Sequence, residues 1–201
     1  MNDHYYTREP GSESRPAECV FSYRGKDLRF RTDSGVFSRG ELDPGTKLLM
    51  DALPADLSGD ILDLGCGWGP IGIGVKAVFP QTRVWMADVN LRALSLSREN
   101  AERNGVQVTC VESDGFAGVS DLPFDAVITN PPIRAGKQTI YRLFAEACSH
   151  LRPSGSLFLV IRKQQGAESC MRYLQTIFSS VERLDRSGGY WVLKGSKPAL
   201  P

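Results

Sequence analysis

The chain has 201 residues, 41% hydrophobic and 23% charged, which suffices for one domain with a sizeable core and excludes a disordered or fibrous protein. Lys and Arg number 24 against 23 Asp and Glu, a formal charge of +1, so the whole chain is not a polyelectrolyte. No apolar stretch is long enough to span a bilayer and "MNDHYYTREPGSE" lacks a signal-peptide core, so a soluble, cytoplasmic protein with no membrane contact is expected.

In chain order, residues 1–18 are polar and rich in Pro, Ser and Glu, and predict a loose arm; its His4, like His150, has no partner pattern. "CVFSYRGKDLRFRTD" alternates about Gly25 as a hairpin, with Val20, Phe21 and Tyr23 on one side and Leu28 and Phe30 on the other. "DPGTKLLMDAL" predicts a helix with Asp43 as N-cap, Pro44 at its first position and Leu48, Leu49 and Leu53 on its apolar face. Residues 1–58 are thus expected to form an arm, hairpin and lead-in helix packed on the main domain, residues 59–201.

From Gly59 the pattern becomes regular alternation. Apolar runs at "DILDLG", "RVWMADV", "VQVTCVES", "FDAVITN" and "SLFLVIRK" are separated by helical stretches at "PIGIGVKAVF", "LRALSLSRENAERNG" and "KQTIYRLFAEACSHLRPSG". A further helix, "AESCMRYLQTIF", precedes two strands, "SVERLDR" and "GGYWVLKGS", that have no helix between them. This is an α/β fold: a mostly parallel seven-stranded Rossmann-like sheet, helices on both faces, and an antiparallel hairpin at the C-terminal edge. Tyr190 and Trp191 fall on opposite faces of the last strand, so at least one belongs to the core. The five cysteines are odd in number, scattered and without a C-x-x-C pair, which predicts free thiols and no metal site.

The chemistry-bearing residues stand at strand ends. "ILDLGCGWGPIG" carries Gly65, Gly67 and Gly69 between the first long run and its helix, where a turn without Cβ atoms lets a ligand approach the backbone. Pro70 stands where the dinucleotide spacing needs glycine, and Asp63 before the turn favours a cationic ligand group over phosphate. Asp88 ends the next run, about 20 residues past the glycines, where a carboxylate accepts hydrogen bonds from a ribose diol. After the third run, Asp114, Gly115 and Phe116 offer a carboxylate for an adenine amino group and an aromatic face. The fourth ends in "TNPPIRAGK": the Asn130 side chain and the Pro131 backbone each present a carbonyl, and Pro131 and Pro132 rigidify the turn and remove two competing donors. Two fixed acceptors suit a poorly nucleophilic NH2 group, whose lone pair they aim at an electrophile.

Together "DLGCGWGPIG", "ADVN", "SDGF" and "TNPPIRAGK" resemble the class I S-adenosylmethionine methyltransferases. More narrowly, they resemble the small-subunit ribosomal RNA guanine-N2 methyltransferases and their short single-domain relatives, as does the upstream "TDSGVFSRGELDPGTKLL". The likeness runs from about Tyr5 to Leu193. It implies that Gly65, Cys66, Gly67 and Gly69 wrap the methionine part of S-adenosylmethionine, with Asp63 near its ammonium. It implies further that Asp88 and Val89 hold the ribose, that Asp114, Gly115 and Phe116 flank the adenine, and that Phe37, Ser38 and Thr46 close over the cofactor beside Asn130. Asn130, Pro131, Pro132 and Ile133 would form the catalytic bracket. Ile133 departs from the aromatic residue that many amine methyltransferases carry there to stack a base. Arg134 and Lys137 follow as candidates for a phosphate or base, and Arg24, Lys26, Arg29 and Arg31 of the hairpin could grip a nucleic-acid backbone. Residues 131–201 carry 11 basic against 4 acidic side chains, compatible with RNA and also with a solvated face. The expected activity is methyl transfer to guanine N2 of ribosomal RNA, free or in a subunit, by a monomer. Adenine N6, a protein glutamine amide, and an inactive cofactor- or RNA-binding assembly module stay open as alternatives.

Overall fold

The computed structural model describes residues 7–199; His4 and Tyr5, at the head of the arm, lie outside them. A hairpin of β1 (Ala17–Tyr23) and β2 (Lys26–Thr32) precedes helix α1 (Pro44–Asp51). Then follow β3 (Asp60–Leu64), α2 (Pro70–Val78), β4 (Arg83–Asp88), α3 (Leu91–Arg103), β5 (Thr109–Glu112) and β6 (Phe124–Thr129). The chain closes with α4 (Lys137–His150), β7 (Leu151–Arg162), α5 (Ala167–Ile177), β8 (Ser180–Ser187) and β9 (Tyr190–Ser196). The seven-stranded sheet has the order β5-β4-β3-β6-β7-β9-β8, parallel except where β9 runs against β7 and β8.

Two cores cover the two faces. One gathers the hairpin, α1, α2 and α3 around Phe30, Trp68, Ile73 and Ile128; the other sets α4 and α5 against Leu62, Phe124, Val127 and Leu159. Strands covered on both faces are rich in apolar residues, and β3 is buried at all five positions, Asp60 and Asp63 included. The chain winds one way from β3 to β4 and β5 and the other way to β6 and β7. The crevice at the carboxyl ends of β3 and β6 is therefore the topological switch point where such sheets hold ligands.

Four local expectations change. Val20 is 59% exposed, because side chains alternate along β1 and put Cys19, Phe21 and Tyr23 inward, opposite Phe30, Leu28 and Lys26. Leu28 and Phe30 therefore share their face rather than the reverse one. The described part of the arm is tied down: Leu91 N donates to Arg8 O (3.0 Å), and the Arg92 guanidinium reaches the carbonyls of Pro10 (3.3 Å), Ser12 (2.9 Å) and Ser34 (2.8 Å). The run expected over 106–113 pairs only at Thr109–Glu112, as a short edge strand. The helix expected through Gly155 stops at His150, and β7 begins five residues early. Pro153 cannot continue a helix and holds Arg152 extended, while Ser154 takes φ +64° in the irregularity that follows.

Candidate active site

A cavity of about 580 Å³ opens at that switch point. Its floor is the turn after β3. Gly65, Gly67 and Gly69 have φ +74°, +58° and +94°, conformations that favour glycine. A Cβ at Gly65 or Gly67 would meet nothing within 4 Å, so both backbones lie open to the cavity, whereas one at Gly69 would stand 2.7 Å from Ile73 and 2.8 Å from Met86. The first two glycines leave room for a ligand, and the third is required by packing. Asp88 spans the turn, its carboxylate accepting from Gly67 N (2.8 Å) and Asn90 N (2.9 Å), and burial raises its pKa.

Asp63 is 1% exposed and lies beneath the cavity rather than in its lining. One oxygen accepts from Gly72 N (2.8 Å), the other is buried without a partner among the described residues, and burial pushes the carboxyl up to about 7. An orphaned carboxylate oxygen under an open glycine turn is the arrangement expected beside a cationic group. Cys66 lines the floor as a neutral thiol, its pKa raised by burial.

The opposite wall is the turn after β6. The Asn130 NH2 donates to Thr46 Oγ1 (2.9 Å) and Asp43 Oδ2 (3.2 Å), and among the described residues its Oδ1 has no partner. A carboxylate only accepts, so the contact with Asp43 fixes which end of the amide faces it. Ile133 N donates to Pro131 O (2.8 Å) across Pro132, at φ −74° and ψ 78°, an inverse γ-turn. This corrects the expectation that the prolines keep donors away from that carbonyl. One lone pair of Pro131 O is taken, the other is unclaimed, and the turn is locked by the bond as well as by the rings.

The cavity brings together, of the residues singled out from sequence, Phe37, Ser38, Thr46, Gly65, Cys66, Gly67, Asp88, Val89, Asp114, Gly115, Asn130, Pro131, Pro132, Ile133 and Arg134. Phe116 is not among them. Its ring is 3% exposed in the second core and stacks on His150 at 4.5 Å, so it offers the cavity no aromatic face; the turn after β5 points it inward. Lys137 lies outside too, over the Tyr141 ring (5.2 Å) beside a separate hollow of about 270 Å³. Asp114 is not idle: it pairs with Arg142 (2.8 Å), which also pairs with Glu146 (2.9 Å). Two of the four hairpin cations are engaged internally, Arg24 on the carbonyls of Leu53 and Pro54 and Arg31 on Glu99. Much of the basic surplus of the last third is likewise committed: Arg152 pairs with Asp60 and Asp125 (2.8 Å each), Arg162 binds Tyr190, and Arg183 lies over Trp191 (4.6 Å). Arg134, at the cavity mouth, is exposed and makes no hydrogen bond or ion pair among the described residues.

Three positions in the cavity lining escaped the sequence reading of the site. Asp43 does cap α1, accepting from Thr46 N (2.8 Å), but it also reaches Asn130. Tyr190 and Arg162 line the same cavity from β9 and β7. A cap signal hides a second role, and nothing local in sequence marks two residues that meet only across the sheet.

Residues 27–194 match the family model described as the methyltransferase small domain. The uncharacterized protein YbxB of Bacillus subtilis (strain 168) is 42% identical over 200 residues, covering 98% of this chain and all of that protein. Ribosomal RNA small subunit methyltransferase C of Pasteurella multocida (strain Pm70) is 41% identical over 138 residues, 67% of this chain and 42% of that protein. Among solved structures, the T. thermophilus 16S rRNA N2 guanine methyltransferase (RsmC) in complex with AdoMet and guanosine superposes with a TM-score of 0.83 at 26% identity. That match covers 94% of this chain and 52% of the other, so the chain spans about half the length of the RsmC proteins it matches. The open glycine turn, the buried unpartnered oxygen of Asp63 and the carboxylate of Asp88 fit the cofactor of that family. The chain belongs to the methyltransferase small domain family and is a class I S-adenosylmethionine-dependent methyltransferase.

Proposed function

We propose that this enzyme methylates an exocyclic amine of RNA, guanine N2 of ribosomal RNA, with Asn130 and Pro131 as the acceptor bracket. The observation that carries the reading is the state of Asn130: both N–H bonds of its amide are spent on Thr46 and Asp43, and its carbonyl oxygen is unclaimed in the wall of the cavity. A fixed acceptor of that kind, beside the second lone pair of Pro131 O, would take the two N–H bonds of a substrate amine. It would thereby turn the nitrogen lone pair toward the centre of the cavity.

S-adenosylmethionine, when bound, supplies a methyl group on a positively charged sulfur and leaves as a neutral thioether. The cavity residues are proposed to hold it: Gly65, Cys66 and Gly67 around its amino-acid part over Asp63, with Gly69 packed behind the turn rather than against the cofactor, Asp88 and Val89 at the ribose, Asp114 and Gly115 at the adenine, and Phe37, Ser38 and Thr46 above. The nitrogen gains the methyl carbon and sheds one proton to solvent; a strong general base is not needed, because methylation makes that proton acidic. Arg134 supports an RNA substrate, as an exposed guanidinium at the mouth, unpaired among the described residues and suited to a phosphate or to the plane of a base. Lys137, further out, would follow the strand. The RsmC relatives, which are methyltransferases of ribosomal RNA, support the same substrate.

The test is to incubate the enzyme and methyl-labelled S-adenosylmethionine with ribosomal subunits, naked ribosomal RNA and a protein extract in separate reactions. Label is expected in RNA; label in protein alone would reverse the assignment.

A further inference from the structure

The polar contacts of Asn130 continue away from the cavity. Asp43 Oδ2 serves two donors at once, Thr46 N (2.8 Å) and Asn130 Nδ2 (3.2 Å). Its other oxygen faces the Tyr190 hydroxyl at 3.5 Å, and that hydroxyl accepts from Arg162 Nε at 2.8 Å while the guanidinium lies 4.7 Å from the ring centre. Because the hydroxyl already accepts from Arg162, its own proton is left for Asp43. The ring is also pressed against α1: a Cβ at Gly45 would stand 2.6 Å from Tyr190 Cε1. The start of α1, the end of β6 and the start of strand β9 thus meet on one carboxylate.

The consequence for Asn130 is orientational. An asparagine amide has nearly the same shape after a half-turn, so packing alone does not decide whether its oxygen or its NH2 faces a substrate. Thr46 Oγ1 does not decide it either, since a hydroxyl can donate or accept. Of the two partners of the NH2 among the described residues, Asp43 is the one that only accepts. A flipped amide would set its oxygen against the carboxylate and present donors to the substrate amine, which is itself a donor.

We infer that Asp43 is the positioning residue of this active site: it locks the Asn130 amide with its carbonyl oxygen toward the acceptor nitrogen. The role exceeds helix capping, and it rests on the assignment of Asn130 to the substrate amine. Tyr190 and Arg162 restrain the carboxylate from behind.

Capping and positioning separate in the choice of substitution. Asp43→Ser retains an N-cap, since serine caps about as well as aspartate, but replaces an acceptor-only group by a short hydroxyl. Asp43→Ala removes both. The expected result is that both variants lose turnover by on the order of tenfold or more, that Asp43→Ser melts like the wild type, and that its KM for RNA stays within about twofold of the wild type. In the Asn130→Ala background, Asp43→Ser is expected to cost less than about twofold further, because the residue it acts through is gone. A second readout is independent of turnover: hydrogen exchange of the Asn130 side-chain NH2, followed by NMR, should speed up in Asp43→Ser. Wild-type turnover in Asp43→Ser would reduce Asp43 to a cap and overturn the inference. So would unchanged exchange, or a full multiplicative loss on top of Asn130→Ala. If Asn130→Ala alone turns over like the wild type, the fault lies one step earlier, in the role given to Asn130.

Discussion

At the scale of single residues, two side chains carry the account. Asn130→Ala removes a positioned acceptor and leaves the floor of the cavity intact. Turnover should fall by about a hundredfold, while calorimetry should find the affinity for S-adenosylhomocysteine within about twofold. Asp63 is the second. Its carboxyl is pushed up to about 7 from an ordinary 3.8 because it is buried with one oxygen unpartnered. Between those two pH values the folded chain holds a proton that the unfolded chain has lost, so the Asp63 contribution to stability declines as pH rises toward 7 and stays low above it. Denaturant titrations of the cofactor-free protein at pH 5 and pH 8 should therefore favour Asp63→Asn over the wild type more at the higher pH. An identical wild-type-to-variant difference at both values would show that Asp63 is not held protonated. Legibility at this scale divides by geometry. Glycines, Asp88 and the "NPP" bracket were readable because each sits at a strand end with a backbone reason to be there. Phe116 was misplaced because the turn after β5 decides which way its ring points, and that turn has no sequence signature.

At the scale of elements, the docking of the N-terminal hairpin has a specific cause. Asn100 of α3 and Asn104 at its C-cap, one turn apart, act as a substitute strand for the outer edge of β2. Arg31 N donates to Asn100 Oδ1 (2.7 Å) and Asn100 Nδ2 to Arg31 O (2.8 Å); Asn104 repeats the pattern with Arg29 at 3.0 and 2.8 Å. Two amides thereby satisfy an edge that would otherwise template pairing with another chain. Asn100 is fully buried and also donates to Trp68 O (2.8 Å), so Asn100→Ala should cost roughly 1–3 kcal/mol and Asn104→Ala less, both read as midpoint shifts in urea. The alternation of strands and helices was legible throughout, since apolar runs between glycine and proline punctuation are a property of the chain itself. The early start of β7 and the ordered arm were not. Pairing of Leu151 with Phe124 and the Arg92 contacts to Pro10 and Ser12 join residues far apart in sequence.

At the scale of the molecule, the sheet has a held end and a working end. At the amino ends of β3, β4, β6 and β7, Asp60 binds Arg83 (2.5 and 2.7 Å) and Arg152 (2.8 Å), Arg152 binds Asp125 (2.8 Å), and Asp125 takes Asp60 N (2.7 Å). The Arg83 contacts above all hold the Asp60 carboxyl below its usual range. At the carboxyl ends of the same strands the glycine turn, Asp88, Asn130 and Arg162 face the cavity. The proposed division at residue 58 is one of sequence pattern. Phe30 of the hairpin packs edge-on to Trp68 of the cofactor turn (5.0 Å), and α1 supplies Asp43 and Thr46 to the Asn130 wall. Far-ultraviolet and tryptophan signals should accordingly report one coincident unfolding transition, and two separated transitions would mean that residues 1–58 fold on their own.

The most direct measurement is the identity of the methylated nucleoside. Ribosomal RNA treated with the enzyme and methyl-labelled S-adenosylmethionine would be digested to nucleosides and resolved by mass spectrometry. The expected product is labelled N2-methylguanosine, lost when Asn130→Ala replaces the wild type. Label on a ring nitrogen, carbon or ribose, or a wild-type yield from Asn130→Ala, would contradict an amine held between the carbonyl oxygens of Asn130 and Pro131; label on adenine N6 would contradict guanine as its substrate.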